Sequence, residues 1–491
     1  MTADDRTSSY DTANAGGASI SLLSDGNDTL SAQLAARLAL RIDEHALKPG
    51  TRLPSIRAYA AQQRVSRSTV VEAYDRLIAV GLIESRRGSG FYVAARSRSG
   101  ARRGQSAGEQ APAVDAGAPN VVWLLRSMLR QAPASQQPGA GLLPTPWLDA
   151  GLVGAAVRAV GRTMNSQLGY GLPEGCLPLR EQIVHRLALA DIGATPSQIV
   201  TTSGVTQGID LVARHFVAAG DTVFVEDPAW FVMFARFAAF GARMIGVPRR
   251  ADGPDIKVLR NLLTRHQPKL FVIGSVLHNP TSTSLSGANA HQLLKLADEY
   301  GFTIVEDDIY GDLHPGRTAG TAVRLASLDQ LKRVIYVSGF SKTLAANLRV
   351  GYVACARELA EQLANLKLLT GLTTPEVTER VVARVLGEGG YRRHLERLRG
   401  KLDAARDRTA RALERMGVKL FSPPAAGIFL WADFGRNTNA IAAAGAQQDI
   451  LCAPGSLFSP TQLPSNWMRV SAATSLNPVA MKFLAQAAAA R

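Results

Sequence analysis

Ser338-Gly339-Phe340-Ser341-Lys342-Thr343-Leu344-Ala345-Ala346-Asn347-Leu348-Arg349-Val350-Gly351-Tyr352 (SGFSKTLAANLRVGY) follows the β-branched run RVIYVS, so a lysine stands in a turn of small residues just beyond a strand. A lysine amine forms a Schiff base with an aldehyde, and pyridoxal phosphate is the biological aldehyde that uses it. Taken alone the motif is weak, because lysines are common and most are solvated. Its weight depends on whether the rest of such a site exists.

The remaining parts are present in the sequence. An acid is needed opposite the pyridine nitrogen, and Asp307 ends the strand GFTIVEDD, where open α/β sheets place their ligands. Tyr310 and Asn279, the latter in SVLHNPTSTS, are candidates to hydrogen-bond the ring's phenolic oxygen. A phosphate needs amides at a helix start and a cation. TTSGVTQGIDLVAR offers Gly204, Val205 and Thr206 for the first, and Arg349 is the second. Trp230, after VEDPA, offers a flat face for stacking. Singly, Asp307 also reads as a helix cap and Trp230 as a core residue; the set, in this order, reads as a cofactor site.

Outward from this stretch, QIVTT, DTVFVED, KLFVIGS, GFTIVEDD and RVIYVSG alternate with amphipathic segments, which indicates βαβ units and a largely parallel sheet from residue 120 to 491. The whole chain has 491 residues, enough for more than one core. Residues 1–27 are polar and carry no core. Residues 97–119 (SRSGARRGQSAGEQAPAVDAGAP) contain no aromatic and read as a flexible linker. The 3 cysteines, Cys176, Cys355 and Cys452, form no C-x-x-C pair, which argues against a disulfide framework or zinc site and for a reducing compartment. No run suggests a transmembrane helix, and no basic-then-apolar leader is present, so the cytoplasm is the expected location.

The segment 28–96 reads differently. Between residues 28 and 103 there are 14 Lys/Arg against 6 Asp/Glu, a net +8 out of +15 for the chain. That density suits a polyanion held by phosphate contacts. Leu34, Leu38 and Ile42 form one helical stripe, and Pro54 opens a short helix through Arg64. Val65-Ser66 then separates it from a helix Arg67–Ala79 whose buried face is Val70, Tyr74, Leu77 and Ile78. Two helices across a tight turn, then LIESRRGSGFYVA as two short strands, give a winged helix-turn-helix. In such a module the second helix enters the major groove N-terminus first, here with Arg67, Ser68 and Thr69. Arg52, Ser55 and Arg57 lie where the preceding elements cross the backbone, and Arg86, Arg87 and Gly88 sit on the wing. Any one arginine reads equally well as solvation of a helical bundle; the order of elements argues for DNA.

KPGTRLPSIRAYAAQQRVSRSTVVEAYDRLIAVGLIESRRGSGFYVA resembles the GntR-family winged helix-turn-helix along its whole length. From Gln167 to about Thr474, the pieces YGLPEGCLPLR, TTSGVTQG, VEDPAW, HNPT, EDDIY, SGFSKTLAANLRVGY and MRVSAA resemble a fold-type I aminotransferase of class I/II. The combination resembles the MocR/GabR subfamily of GntR regulators. The expected fold is therefore a small α+β winged helix-turn-helix followed by a large α/β fold-type I domain.

By that resemblance Lys342 holds pyridoxal 5'-phosphate, Asp307 pairs with its pyridine nitrogen, Tyr310 and Asn279 contact its phenolic oxygen, and Trp230 stacks. Arg349, Ser341 and the Gly204–Thr206 turn bind phosphate, Tyr170 reaches it from a partner subunit of a homodimer, and Arg469 clamps an amino acid's carboxylate. The resemblance also marks Asn279-Pro280 and Asp227-Pro228 as candidate cis bonds. The sequence departs from the pattern at Ser282 (usually Gly), Gly339 (usually a phosphate-binding Ser) and Ala345-Ala346-Asn347 (usually A-P-G). On the recognition helix it carries Val71, where family members often have Arg.

The function these features imply is a transcriptional regulator on double-stranded operator DNA, sensing a small amine, amino acid or B6 compound. The same residues also fit a working aminotransferase tethered to DNA, and a dimerisation scaffold is the third reading. Steady-state keto-acid production separates the enzyme from the sensor; failure to bind added cofactor marks the scaffold.

Overall fold

In this computed structural model the described residues are 29–43, 47, 49–79, 81–86, 89–94, 121–129, 136–163, 168–316 and 322–489. The expected tail (1–27), the expected linker (97–119) and the wing residues Arg87 and Gly88 lie outside them. The chain forms two compact units, 1–112 and 113–491.

In the smaller unit, helices Leu30–Asp43, Ile56–Gln63 and Arg67–Ala79 precede a hairpin of β1 (Ile83–Arg86) and β2 (Gly90–Val93). Leu34, Leu38, Leu53, Tyr59, Val70, Ala73, Tyr74 and Leu77 are buried together, and the Tyr74 hydroxyl donates to the Pro54 carbonyl at 2.9 Å. Two expectations are corrected. The second helix starts at Ile56 rather than Pro54, because extended Ser55 is its N-cap and accepts from the Ala58 amide at 3.2 Å. Ile78 is 36% exposed, and Ala73, which the sequence reading left out, is fully buried on that helix.

In the larger unit, every strand read from the sequence forms. β3 (Ile199–Thr202), β4 (Thr222–Asp227), β5 (Arg243–Arg250), β6 (Gly253–Pro254), β7 (Pro268–Ile273), β8 (Thr303–Asp307), β9 (Val334–Gly339) and β10 (Gly351–Ala354) make one sheet in the order β3-β10-β9-β8-β7-β4-β5-β6. β5, β4, β7, β8 and β9 are parallel, while β10 runs antiparallel to both of its neighbours. β3 therefore points the same way as β9. Apolar side chains alternate to the two faces and feed two separate cores.

A second sheet, β11 (Lys419–Leu420), β12 (Phe429–Asp433), β13 (Ala453–Pro454) and β14 (Trp467–Ser471), is antiparallel in the order β11-β12-β14-β13 and has its own core. Asp227-Pro228 and Asn279-Pro280 are both cis. Among the described residues, no helix is long and apolar enough to cross a membrane.

Candidate functional site

The C-terminal ends of β3, β4, β7, β8 and β9 share one edge of the large sheet, where backbone polar groups are free to meet a ligand. A cavity of about 120 Å³ opens there, walled by Val205, Thr206, Trp230, Asn279, Asp307, Tyr310, Ser341, Lys342 and Arg349 among others. Residues from positions 205 to 349 thus converge on one space, as the sequence led us to expect. Tyr170 is not among them; it is 84% exposed.

Lys342 follows β9, and its Nζ donates to the Gly141 carbonyl at 3.1 Å. As cavity walls, Lys342 and Asp307 keep some accessible surface, yet protein packs around them closely enough that desolvation governs both. Desolvation, assisted by the Arg469 guanidinium, lowers the Lys342 amine to about 8 against the opposing pull of Asp307. Desolvation raises the Asp307 carboxyl to about 7, although it accepts from the Ile309 amide at 3.3 Å. Tyr310 is likewise pushed up by burial, and Asn279 Nδ2 donates to its hydroxyl at 3.4 Å.

Arg469, on β14 and 2% exposed, donates to Asn279 Oδ1 at 3.1 Å and to the Gly139 carbonyl at 2.7 Å. Its guanidinium lies 4.5 Å from the Phe429 ring centre and 5.0 Å from that of Phe458, while its buried Nε has no partner among the described residues. Desolvation lowers it to about 10.

At the other end of the cavity the helix Val205–Phe216 begins after Gly204, and its first amides have no partners within the helix. Arg349 crosses this turn and donates to the Ser203 carbonyl at 2.8 Å. Gly204 has φ +80°, and a Cβ there would come within 2.6 Å of the Arg349 guanidinium. A bare backbone beneath a cation, at a helix start, is a cradle for a phosphate. The donor set fits a pyridoxal phosphate group: an amine of lowered pKa, an acid, two phenol-directed donors and an anion cradle.

The departures from the family pattern have local causes. Ser282 takes φ +54°, and its Oγ accepts from the Phe429 amide at 3.1 Å, so the side chain acquires a partner in a conformation that favours glycine. A Cβ at Gly339 would lie 3.0 Å from both Gly351 Cα and the Val350 carbonyl, so the backbones of β9 and β10 leave little room for serine.

Sequence reasoning missed Gly139 and Gly141, whose carbonyls hold Arg469 and Lys342; at Gly139 a Cβ would meet the Ala453 amide at 2.5 Å. The paired glycines of PGAG were the available signal. It also missed a charged cluster in the cavity wall. There Glu226, raised by desolvation, accepts from Arg249 and from the Gly274 amide at 2.8 Å, and His278 Nε2 stands 3.3 Å from its second oxygen. Separately, at the β3 edge of the sheet, buried Lys367 donates to the carbonyls of Pro173 (2.7 Å) and Thr201 (2.8 Å), while Glu379 takes the Thr201 and Thr374 hydroxyls and the Cys176 amide. This network fixes the loop after Tyr170 to the end of β3.

In the smaller unit Arg52, Arg57, Arg67 and Ser68 are exposed and Thr69 is partly so. Ser66 Oγ accepts from the Thr69 amide at 3.1 Å and lies 2.7 Å from the hydroxyls of both Ser68 and Thr69, capping the recognition helix. Two candidates have structural employment: Ser55 is a cap, and Arg86 is held by Glu84 at 2.7 Å and 4.6 Å over the Tyr92 ring. Arg52 bridges to Tyr92 and lies against the wing.

Residues 146–487 match the family model of aminotransferase class I and II, and residues 30–93 match that of the bacterial regulatory proteins of the gntR family. These define a class of regulator in which a GntR helix-turn-helix is fused to a fold-type I aminotransferase-like domain. The chain belongs to the aminotransferase class I and II family and carries the GntR module in front of it.

The chain is 28% identical over 449 residues to the uncharacterized HTH-type transcriptional regulator YdcR of Escherichia coli, covering 89% of this chain and 93% of the relative. It is 28% identical over 405 residues to the probable rhizopine catabolism regulatory protein MocR of Rhizobium meliloti, covering 80% and 78%. The α-aminoadipate aminotransferase LysN of Thermus thermophilus, solved with N-(5'-phosphopyridoxyl)-L-leucine, superposes with a TM-score of 0.68 at 25% identity, over 75% of this chain and 94% of that one.

Proposed function

We propose that this chain is a pyridoxal phosphate-dependent, DNA-binding transcriptional regulator that senses a small amine, amino acid or B6 compound in its aminotransferase-like domain. The observation that carries the reading is the meeting of Lys342 and Asp307 in one desolvated cavity with the Gly204–Thr206 cradle and Arg349. The proposed organisation is a tail (1–27), a DNA-binding domain (28–96), a linker (97–119) and an effector domain (120–491). Arg52, Arg57, Arg67, Ser68, Thr69, Arg86, Arg87 and Gly88 face the DNA, and Ser55 serves that surface through its helix cap.

Bound there, pyridoxal phosphate supplies an electron-withdrawing ring and an aldehyde carbon for amines. Lys342, its amine lowered to about 8 so that it releases its proton more readily than an ordinary lysine, provides the amine that holds the group. Asp307 keeps a proton at the ring nitrogen, Tyr310 and Asn279 direct hydrogen bonds to the phenolic oxygen, and Trp230 flanks the ring. Val205 and Thr206 amides, Ser341 and Arg349 neutralise the phosphate. Arg469, walled by Phe429 and Phe458, offers an incoming carboxylate a water-poor cation. An effector alters operator binding to the extent that it prefers one of two arrangements of the protein.

The proposed assembly is a cytoplasmic homodimer in which Tyr170 completes the partner's phosphate site. Leu168, Tyr170, Leu172, Leu369 and Leu372 are all exposed near the anchored loop, an apolar surface that a second subunit would cover.

An absorbance scan of the purified protein against a panel of amines tests the reading. Visible absorbance that changes with one class of amine is expected, and colourless protein that ignores added pyridoxal phosphate would overturn it. The low-pKa Lys342 beside Asp307 also suits a working aminotransferase. Sustained keto-acid production would establish that second reading.

A further inference from the structure

The helix Gly390–Arg415 of the larger unit segregates its charges in an unusual way. At about 100° per residue, its buried side chains, including Tyr391, Leu395, Leu398, Leu402 and Leu413, occupy one face. The acids Glu396, Asp403, Asp407 and Glu414 fall together on a strip beside that face. Three of them are engaged by arginines at the same edge: Arg392 with Glu396, and Arg406 with Asp403 and Asp407. The strip next to the acids, further round the solvent side, carries only cations among its charged residues. Arg393, Arg397, Lys401, Arg408, Arg411 and Arg415 fall within about 80° of one another and extend over about 33 Å of helix axis. All six are exposed. Arg397 pairs with Asp149 at 2.8 Å; the other five have no carboxylate partner among the described residues.

A helix that merely needs a solvated face gains most from interleaved opposite charges at i,i+4. Here three of the four acids are engaged by arginines outside the strip, and five of its six cations have no carboxylate partner among the described residues, at a cost in mutual repulsion. The strip also lacks an apolar or aromatic anchor, since the exposed residue between its basic members is Ala404, so a protein partner would find no central hot spot. A row of six cations about 33 Å long, five of them without a carboxylate partner among the described residues, matches roughly one turn of duplex, whose two strands present a charge every ~1.7 Å along the axis.

We propose that this strip is a second, sequence-independent contact for the DNA backbone. It adds backbone contacts to those of the helix-turn-helix. The inference rests on the reading of the chain as a DNA-binding regulator.

The test uses the full chain and duplexes of arbitrary sequence about 40 base pairs long, with binding followed by anisotropy as salt is varied. The strip variant is Arg393→Gln/Lys401→Gln/Arg408→Gln/Arg411→Gln. The control removes four exposed cations elsewhere: Arg243→Gln/Lys257→Gln/Arg260→Gln/Arg265→Gln. The strip variant is expected to flatten the slope of log K against log salt by up to ~0.9 per residue removed, about 3 to 4 in all. The control should flatten it by less than one. Equal slopes in the strip variant and the wild type, or an equal loss in the control, would overturn the inference while leaving the regulator reading intact. Wild-type protein that binds no duplex at all would instead remove that reading. Retained visible absorbance with added pyridoxal phosphate shows that each variant is folded.

Discussion

Arg57, Arg67 and Ser68 stand in water on the helix-turn-helix, whereas Arg469 is buried between two phenylalanine rings and Lys342 and Asp307 wall a desolvated cavity. The two regions each recognise charge, but at different dielectric. Exposed arginines act on a polyanion through many weak, salt-screened contacts. In the proposed function the cavity acts on one small molecule through a few groups whose pKa values the protein has already moved. Perturbing one region should therefore leave the signature of the other in place.

The largest separation is expected from Lys342→Ala. Visible absorbance on adding pyridoxal phosphate should vanish, while effector-free DNA affinity stays within about twofold, as measured by titration of each. Next, Arg469→Leu should retain the cofactor spectrum but weaken the response to amino acids by roughly 30–150-fold, the ~2–3 kcal/mol of charge-assisted bonds to a carboxylate. Amines without a carboxylate should respond as in the wild type, and an equal loss for both would assign Arg469 a structural role.

On the DNA side, Arg67→Ala should weaken operator binding by roughly 10–100-fold, about 1.4–2.7 kcal/mol, in gel-shift titrations. Its cofactor spectrum should be unchanged. The smallest effect is one of pH. Because the Lys342 amine is lowered to about 8, its reactive neutral form grows as pH rises through that value. The initial rate of pyridoxal phosphate uptake should thus climb by roughly tenfold from pH 7 to 9. In Arg469→Leu, which removes a neighbouring cation, the midpoint should move upward. A midpoint near 10 in the wild type would mean that the amine is not desolvated as the packing requires.

The sequence made the sheet legible because β-branched runs alternate with helical spacing, and it made Lys342, Asp307, Asn279 and Arg349 legible because each follows or ends such a run. It hid what depends on distant packing. Gly139 and Gly141 reach Arg469 and Lys342 from some 200–330 positions away in the chain; the glycine pair marks a close backbone approach but not which side chains it meets. The Glu226–Arg249 pair likewise sits on adjacent parallel strands that only the fold sets side by side. The cap at Ser55 was hidden for the same reason: its Oγ accepts from the Ala58 amide, and the residue's neighbours alone do not distinguish a cap from a phosphate contact.

The central claim, that a small molecule at Lys342 changes DNA engagement, is tested most directly by titrating operator DNA with wild-type protein and Lys342→Ala, each incubated with the same excess of pyridoxal phosphate, with and without the amine that perturbs the wild-type spectrum. The expected result is an amine-dependent shift in operator affinity for the wild type and none for the variant. An identical shift in both proteins, or none in the wild type while its spectrum responds, would contradict the claim.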